Sequence, residues 1–263
     1  FHNAGVASKS NVTRGVPRVE EILRLTKNPK NPSLTVHLKP LDEQDKEKAI
    51  KYSKMIEHTK LIDVVKSVQI CFDPNDHNTL ILDDKQLLEQ YFEFENMMKE
   101  CTDEEPYDAQ VQRSKWIIRM EMDAEAMLDK NITMDDIHFA IGNSHGTDIS
   151  CVYSDYNASN LVFRLRLSVN IFNKKKQKGT PEALDQSDEI YMLRNFQDTL
   201  LNNIVLRGVE GIRNVAPRKL QNNVVKEDGK YMQKDVWILD TTGTNMMEIM
   251  AIDFIDERRT FSN

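Results

Sequence analysis

The side chain best suited to chemistry in this sequence is a histidine at its beginning. His2 stands among small residues and precedes a loop rich in Ser, Asn and Gly. An imidazole with an ordinary pKa of about 6.5 can be protonated near neutral pH, so it can donate a charge-assisted hydrogen bond to a phosphate oxygen or act as a general acid. Residue type alone does not select it, because a lone histidine is more often a bystander than a catalyst.

Other polar clusters predict ordinary surface structure. The acidic pieces Asp73 to Asp76 and Asp83 to Asp84 have the spacing of turns and not of metal ligands. The run Lys174 to Lys178 predicts a solvated loop, with an electrostatic contact to nucleic acid as the alternative. The three cysteines, Cys71, Cys101 and Cys151, are far apart and form no CxxC pair, which disfavours disulfides and zinc and favours a reducing compartment.

The element that must position His2 is a helix. Gly15 allows a sharp entry and Pro17 suits a first helical turn, where its missing donor costs nothing. Val19, Ile22 and Leu23 then follow at helical spacing. A short arm carrying the histidine is therefore predicted to run directly into a helix.

The motifs around this arm resemble a known family. Phe1-His2-x-Ala4-Gly5-Val6-Ala7, followed by Asn11-Val12-Thr13-x-Gly15-Val16-Pro17-Arg18, resembles the trigger loop of the largest subunit of multisubunit RNA polymerases. Pro32-Ser33-Leu34-Thr35-Val36 is similar to the RNA polymerase II type in particular. The resemblance is collinear along the whole chain, weak between about residues 76 and 110, and includes Ile56-Glu57-His58-Thr59, Phe72-Asp73-Pro74, Leu206-Arg207-Gly208-Val209-Glu210-Gly211-Ile212 and Trp237-Ile238-Leu239-Asp240-Thr241-x-Gly243.

The resemblance implies a function for the arm. The chain would be a fragment, from the trigger loop through jaw and cleft, of the largest subunit of DNA-directed RNA polymerase, a nucleotidyltransferase of transcription. In that family the trigger loop closes over the incoming nucleoside triphosphate, which makes His2 the catalytic candidate, as an acid or as a positional contact. The other implied site residues are Ala4, Gly5 and Gly15 for loop mobility, and Lys9, Arg14 and Arg18 near nucleic acid.

Cofactor and partners follow from the same resemblance. Mg²⁺ is required by the whole enzyme but is expected to be bound by residues outside this chain, so the isolated fragment is expected to bind no metal and to be inactive. The implied partners are other polymerase subunits including the second-largest one, downstream duplex DNA, the NTP, and a transcript-cleavage factor on the jaw. The implied location is the nucleus for a cellular source, or host cytoplasm and virion for a large-DNA-virus homologue. Ser8 to Asn11 makes the loop one residue longer than in many cellular relatives.

Composition limits the alternatives. The chain has 263 residues, a formal net charge of −7, 40% hydrophobic and 29% charged residues. The negative charge argues against a free-standing nucleic-acid-binding domain, and no apolar run approaches the roughly 20 residues that span a bilayer, so no membrane partner is expected. A sequence without an initiator Met is expected to be a piece of a longer chain. The competing hypothesis from another class is a non-catalytic α+β interaction module.

Alternating polarity predicts an α+β fold. Strands are expected at Ser33 to Leu38, Ser67 to Phe72, Lys115 to Met122, Ile149 to Tyr153, Leu161 to Val169, 209–217 and Val236 to Leu239. Helices are expected from Asp42 to Glu57, from Thr133 to a stop at Gly142, from a start at Thr180-Pro181-Glu182 through Leu193 to Ile204, and at Asn245 to Met250. Residues 83–113 have mixed signals, with β character at Tyr91 to Phe94.

These elements predict a domain organisation. The order β-α-β-β-α-β from residue 114 to 217 is the split βαβ arrangement, with helices over one face of an antiparallel sheet. With the resemblance, the expected domains are a trigger-loop C-terminal arm and first cleft segment at 1–57, a jaw at 58–207 and a second cleft segment at 208–263.

Overall fold

A computed structural model describes residues 13, 15–101, 113–169, 186–227 and 229–262. The helices are α1 (Val16–Leu23), α2 (Lys46–Ile56), α3 (Lys85–Cys101), α4 (Ala124–Lys130), α5 (Met134–His145), α6 (Gln186–Asn203) and α7 (Met246–Met250). The strands are β1 (Leu34–His37), β2 (Thr59–Lys60), β3 (Val65–Phe72), β4 (Arg113–Met122), β5 (Ile149–Tyr153), β6 (Val162–Ser168), β7 (Val205–Arg207), β8 (Asn214–Glu227), β9 (Lys230–Thr242) and β10 (Phe261–Ser262).

The chain forms two compact units. One comprises the described residues up to Thr59 together with those from Arg207 onward, and the other runs from Lys60 to Leu206. Each unit has a four-stranded antiparallel sheet, and β2 and β7 form a third, two-stranded one. The predicted α+β class is therefore confirmed.

The unit from Lys60 to Leu206 is built on the sheet β3-β4-β6-β5. Ile118 of β4 stands opposite Ile70 of β3 and Leu165 of β6, so apolar side chains from three strands share one face. Helices α5 and α6 cover that face. The core there contains the fully buried side chains Ile118, Met120, Phe163, Leu165, Met134, Ile137 and Leu193.

The predicted final strand of the split βαβ arrangement does not join this sheet. The strand near residues 209–217 begins at Asn214 as part of β8, and it belongs to the other unit. The edge position beside β4 is taken instead by β3, which precedes the motif in the chain. The physical reason is burial, because Val209, Ile212 and Val215 pack into the core of the other unit.

In this unit the structure also assigns a segment that the sequence left open and corrects the end of one helix. Residues 85–101 form a 17-residue helix, although Tyr91 to Phe94 has β character. Leu88 is buried and Phe92, one helical turn later, stacks on His77 at 4.1 Å between ring centroids. Helix α5 continues past Gly142 to His145 and ends at Gly146, whose φ of 56° suits a left-handed stop. Gly142 has no positive φ, so it continues the helix.

The other unit is organised around β1. This strand lies between β10 and β9 in the sheet β10-β1-β9-β8, and its Leu34 and Val36 are fully buried. Thr35 is also buried, so the strand is covered on both faces and is not the half-buried strand that its alternation predicted. Helix α2 packs on the same core through Ala49 and Ile56.

Two glycines of this unit lie where two backbone segments come into close contact, and both belong to sequence blocks that resemble the polymerase family. Gly208 has φ 95°, and a Cβ there would lie 2.1 Å from the carbonyl oxygen of Glu57. Gly243 has φ 103°, and a Cβ there would lie 2.0 Å from the carbonyl oxygen of Gly211. Only glycine is suited to these positions, because the backbone has a positive φ and another backbone segment leaves no space for a Cβ. These blocks therefore have a structural reason for their glycines.

Candidate functional site

Gly15 and α1 are the part of the predicted site that the structure describes. Gly15 is the N-cap of α1 with φ 77° and ψ −150°, and Pro17 lies in the first turn. The backbone amides of Arg18 and Val19 donate to the Gly15 carbonyl at 3.1 and 3.2 Å. The chain therefore enters this helix through a backbone conformation that favours glycine.

No side chain of α1 is buried among the described residues. Val19 is 54% exposed, Ile22 58% and Leu23 77%. Three large apolar residues at helical spacing are normally a core-facing stripe. Here they form an exposed apolar surface on α1.

Arg18 lies on this helix in an intrachain ion pair. Its guanidinium Nη1 donates to Glu21 at 3.1 Å, and the backbone amide of Lys30 donates to the same carboxylate at 3.1 Å. The amide of Lys30 first, and Arg18 second, lower the pKa of Glu21 below its ordinary value. Arg18 thus has a local partner that would compete with a phosphate.

The remaining predicted site residues lie outside the described part of the chain. These are His2, Ala4, Gly5, Lys9 and Arg14, together with the basic run Lys174 to Lys178. Of the predicted set, the structure therefore places only Gly15 and Arg18, which share one helix start.

Sequence reasoning missed a buried charged cluster, which we call the arginine–aspartate cluster. Arg164 and Arg166 alternate with leucines in β6, in the phase that usually faces water, yet they are only 3% and 6% exposed. They lie on the sheet face opposite the apolar core. The cluster consists of Arg119, Arg164 and Arg166 with Asp73, Asp76 and Asp84.

The arginines of the cluster hold both ends of segment 73–84 against the sheet. Arg164 donates to Asp73 at 2.6 Å and to Asp84 at 2.7 Å, so one guanidinium joins both ends of the segment 73–84. Arg119 holds Asp84 through Nε and Nη2 at 3.0 to 3.1 Å. Arg166 reaches Asp76 at 2.9 Å through Nε. The carboxylates and guanidiniums of the two segments therefore neutralise each other beneath 73–84.

The pKa shifts in the cluster agree with a role in holding segment 73–84 on the sheet. Burial raises the pKa of Asp73, but hydrogen bonds from Thr79 and Arg164 outweigh it and hold the pKa below its ordinary value. The bond to Asp84 raises the pKa of Arg119 above its ordinary value. Because its arginines and aspartates hold one another in mutual ion pairs, the cluster ties segment 73–84 to the sheet and has a structural role. No sequence pattern identifies it, because its paired arginines and aspartates are 35 to 91 residues apart in the chain.

The described residues contain little else that could carry chemistry. No group of three or more His, Cys, Asp or Glu side chains among them could hold a metal ion. Burial raises the pKa of the Cys151 thiol to about 12, so it stays protonated and unreactive. Within the same part of the chain, no helix has the length and apolarity that crossing a bilayer requires.

Comparison with known families now gives the class of protein. The family described as RNA polymerase Rpb1, domain 7, matches residues 59–207, which is more than half of the chain. The chain therefore belongs to the RNA polymerase Rpb1, domain 7, family, and so to the largest subunit of a DNA-directed RNA polymerase. The chain is thus a part of an enzyme of transcription that belongs to the nucleotidyltransferases, and other polymerase subunits are its partners.

Proposed function

We propose that the residues before this domain supply the C-terminal arm of the trigger loop and that the two units supply jaw and cleft surfaces along downstream duplex DNA. The supporting observation is order along the chain. The histidine motif precedes the family domain, which begins at residue 59, and α1 begins at Val16, within the last part of the motif. The arm is thus joined to a helix start that its own sequence specifies.

In this proposal His2 acts on the phosphates of the incoming NTP. A protonated imidazole would donate a charge-assisted hydrogen bond where negative charge develops on the leaving group. Nucleotidyl transfer depends mainly on positioning and on charge stabilisation, so a contact made only in the closed state would raise the rate of addition. Mg²⁺ is bound by residues outside this chain, and a transcript-cleavage factor docks on the jaw.

The exposed face of α1 fits this role. A helix whose Val19, Ile22 and Leu23 are exposed gains stability when another apolar surface covers it. Closure over a nucleotide would provide such a surface within the assembled enzyme. The arm could then alternate between two positions whose free energies differ little.

The test is replacement of the histidine in the assembled polymerase. His2→Ala should slow single-nucleotide addition by about 10²-fold, in the range of a lost acid or phosphate donor. His2→Gln keeps a hydrogen-bond donor and should recover part of that loss if the contact is positional. The exposed His77, replaced by Ala, is the matched control and should leave the rate unchanged. An unaltered rate in His2→Ala would remove the proposed role.

A further inference from the structure

The helix α3 carries a stripe of exposed apolar side chains. Tyr91, Phe94 and Met98 follow one another at i, i+3 and i+7, the spacing of the contact positions in a coiled coil, and Met97 borders them. Phe94 is 61% exposed, Met97 59% and Met98 50%. Single exposed apolar residues are ordinary, but a contiguous row at helical spacing is typical of a surface that packs against another element.

A different side of α3 attaches the helix to its unit. Leu88 is buried, and Phe92 stacks on His77 with 4.1 Å between the ring centroids. With 3.6 residues per turn, Leu88 and Phe92 lie about 120° and 160° around the helix axis from Phe94. Asp84, directly before the helix, is held by the arginine–aspartate cluster. The first half of α3 is therefore anchored, and it fixes the position from which the stripe is presented.

The charge beside the stripe is negative. Residues 80–98 contain five carboxylates and one lysine, a formal charge of −4 in a chain whose total is −7. The lysine, Lys85, lies 3.8 Å from Glu89, one of these five carboxylates. Glu93 is exposed and precedes Met97 by four residues, so the two are neighbours on the helix surface. The apolar stripe thus has an acidic border.

We propose that this stripe, defined by Tyr91, Phe94, Met97 and Met98, binds an amphipathic helix of a partner protein whose apolar residues are flanked by lysine or arginine. Apolar residues at helical spacing are the anchors by which one helix recognises another. Opposite charge beside such anchors speeds association and disfavours other partners. The acidic border would repel nucleic acid, and a second copy of this chain would set two acidic borders against each other. The inference goes beyond the proposed function, because it requires nothing of His2.

The experiment measures, by fluorescence anisotropy, the binding of a labelled three-heptad helical peptide to the full 263-residue chain. The peptide has leucine at heptad positions a and d and lysine at e and g. It should bind more tightly than the same peptide with glutamate at e and g, and the difference should decrease as salt is added. Equal affinities of the two peptides would overturn the proposal.

Truncation of the stripe separates specific docking from attraction between a basic peptide and an acidic chain. The double variant Phe94→Ala, Met97→Ala keeps every charge and should weaken binding of the lysine peptide by about tenfold or more. Alanine favours helices, so unwinding of α3 would not explain the loss. The matched control is Leu128→Ala, Phe139→Ala, which removes exposed apolar side chains from α4 and α5 of the same unit and should leave binding unchanged. Equal affinities of the two double variants would contradict the assignment of the stripe.

A charge variant tests the acidic border. Glu93→Gln should weaken binding of the lysine peptide a few-fold, whereas Glu125→Gln, an exposed carboxylate on α4, should not. An unchanged affinity in Glu93→Gln would remove the border from the proposal and leave no reason for a basic partner.

Two further outcomes would assign the stripe to another occupant and overturn the proposal. One is a dimer of the chain in sedimentation velocity that Phe94→Ala, Met97→Ala abolishes. The other is displacement of the lysine peptide from the chain by a duplex DNA that binds the parent chain and fails to bind the same double variant.

Discussion

At the scale of single residues, the arginine–aspartate cluster shows that the surroundings of a side chain, and not only its type, decide whether it is buried. Arg164 occupies the polar phase of an alternating strand, which usually faces water. Segment 73–84 covers that face, so the guanidinium is buried and must be paired. Desolvation makes such a pair costly to break even when its net contribution to stability is small.

Arg164→Ala should therefore destabilise its unit by about 3–5 kcal/mol, because Asp73 and Asp84 are left buried without their partner. The measurement is urea unfolding followed by Trp116 fluorescence in a Trp237→Phe background, so that only this unit reports. Arg194→Ala, an exposed position on α6, is the control and should change stability by less than about 0.5 kcal/mol. Equal effects of the two substitutions would contradict this structural role.

At the scale of elements, glycine position distinguishes a helix interior from a helix end. A Cβ at Gly142 would meet nothing within 4 Å, and its φ is not positive. Gly146 has φ 56° at the C-cap. The sequence cannot tell which of two nearby glycines ends a helix, since both are compatible with a stop.

We expect Gly142→Ala to stabilise the protein by about 0.5–1 kcal/mol, because alanine costs less backbone entropy within a helix. Gly146→Ala should destabilise it by about 1–2 kcal/mol, because its left-handed backbone strains a side chain. Trp116 unfolding curves measure both. A loss of stability in Gly142→Ala would mean that this glycine, and not Gly146, is the stop.

A second element-scale prediction concerns the backbone crossing at Gly208. Gly208→Ala should cost more than about 2 kcal/mol, because its Cβ would overlap the Glu57 carbonyl as well as strain the backbone. Gly229→Ala shares the positive φ but meets nothing within 4 Å, so it should cost only about 1 kcal/mol. Unfolding is followed by Trp237 in a Trp116→Phe background. Similar costs would show that the close contact is unimportant.

At the scale of the whole molecule, paired carboxylates make stability depend on pH. Besides Asp73, the pKa is lowered for Asp42 by the bond from Lys48 and for Asp235 by the bond from Lys219. A carboxyl group with a lower pKa in the folded state stabilises the fold above its unfolded pKa and loses that effect as the pH falls through the folded value. The affected window lies below about pH 4.

The urea midpoint should therefore be level above pH 5 for these groups and should fall steeply below about pH 4. Asp73→Asn should lower the midpoint at pH 7 and flatten its acid dependence, because asparagine does not titrate. Far-UV circular dichroism at a series of pH values gives the midpoints. A variant with the same acid dependence as the parent would show that Asp73 does not contribute.

The sequence predicted the elements that local residue patterns specify, and it failed where contacts between distant residues select the structure. The strands at Lys115 to Met122 and Ile149 to Tyr153 were predicted because alternation and turn residues are local signals. The helix at 85–101 was missed because Tyr91 and Phe92 favour strands intrinsically, while packing of Leu88 and Phe92 selects a helix. The edge strand was misassigned because sheet partners are chosen over long range.

By itself the sequence determined the α+β class, the helix start at Gly15 and the family motifs, all of which depend on residues close together in the chain. Only the tertiary structure decided which strand borders β4 and which arginines are buried. Those outcomes depend on which distant segment excludes water from a side chain, and the free energy of burying a charge or an apolar group is set by that partner.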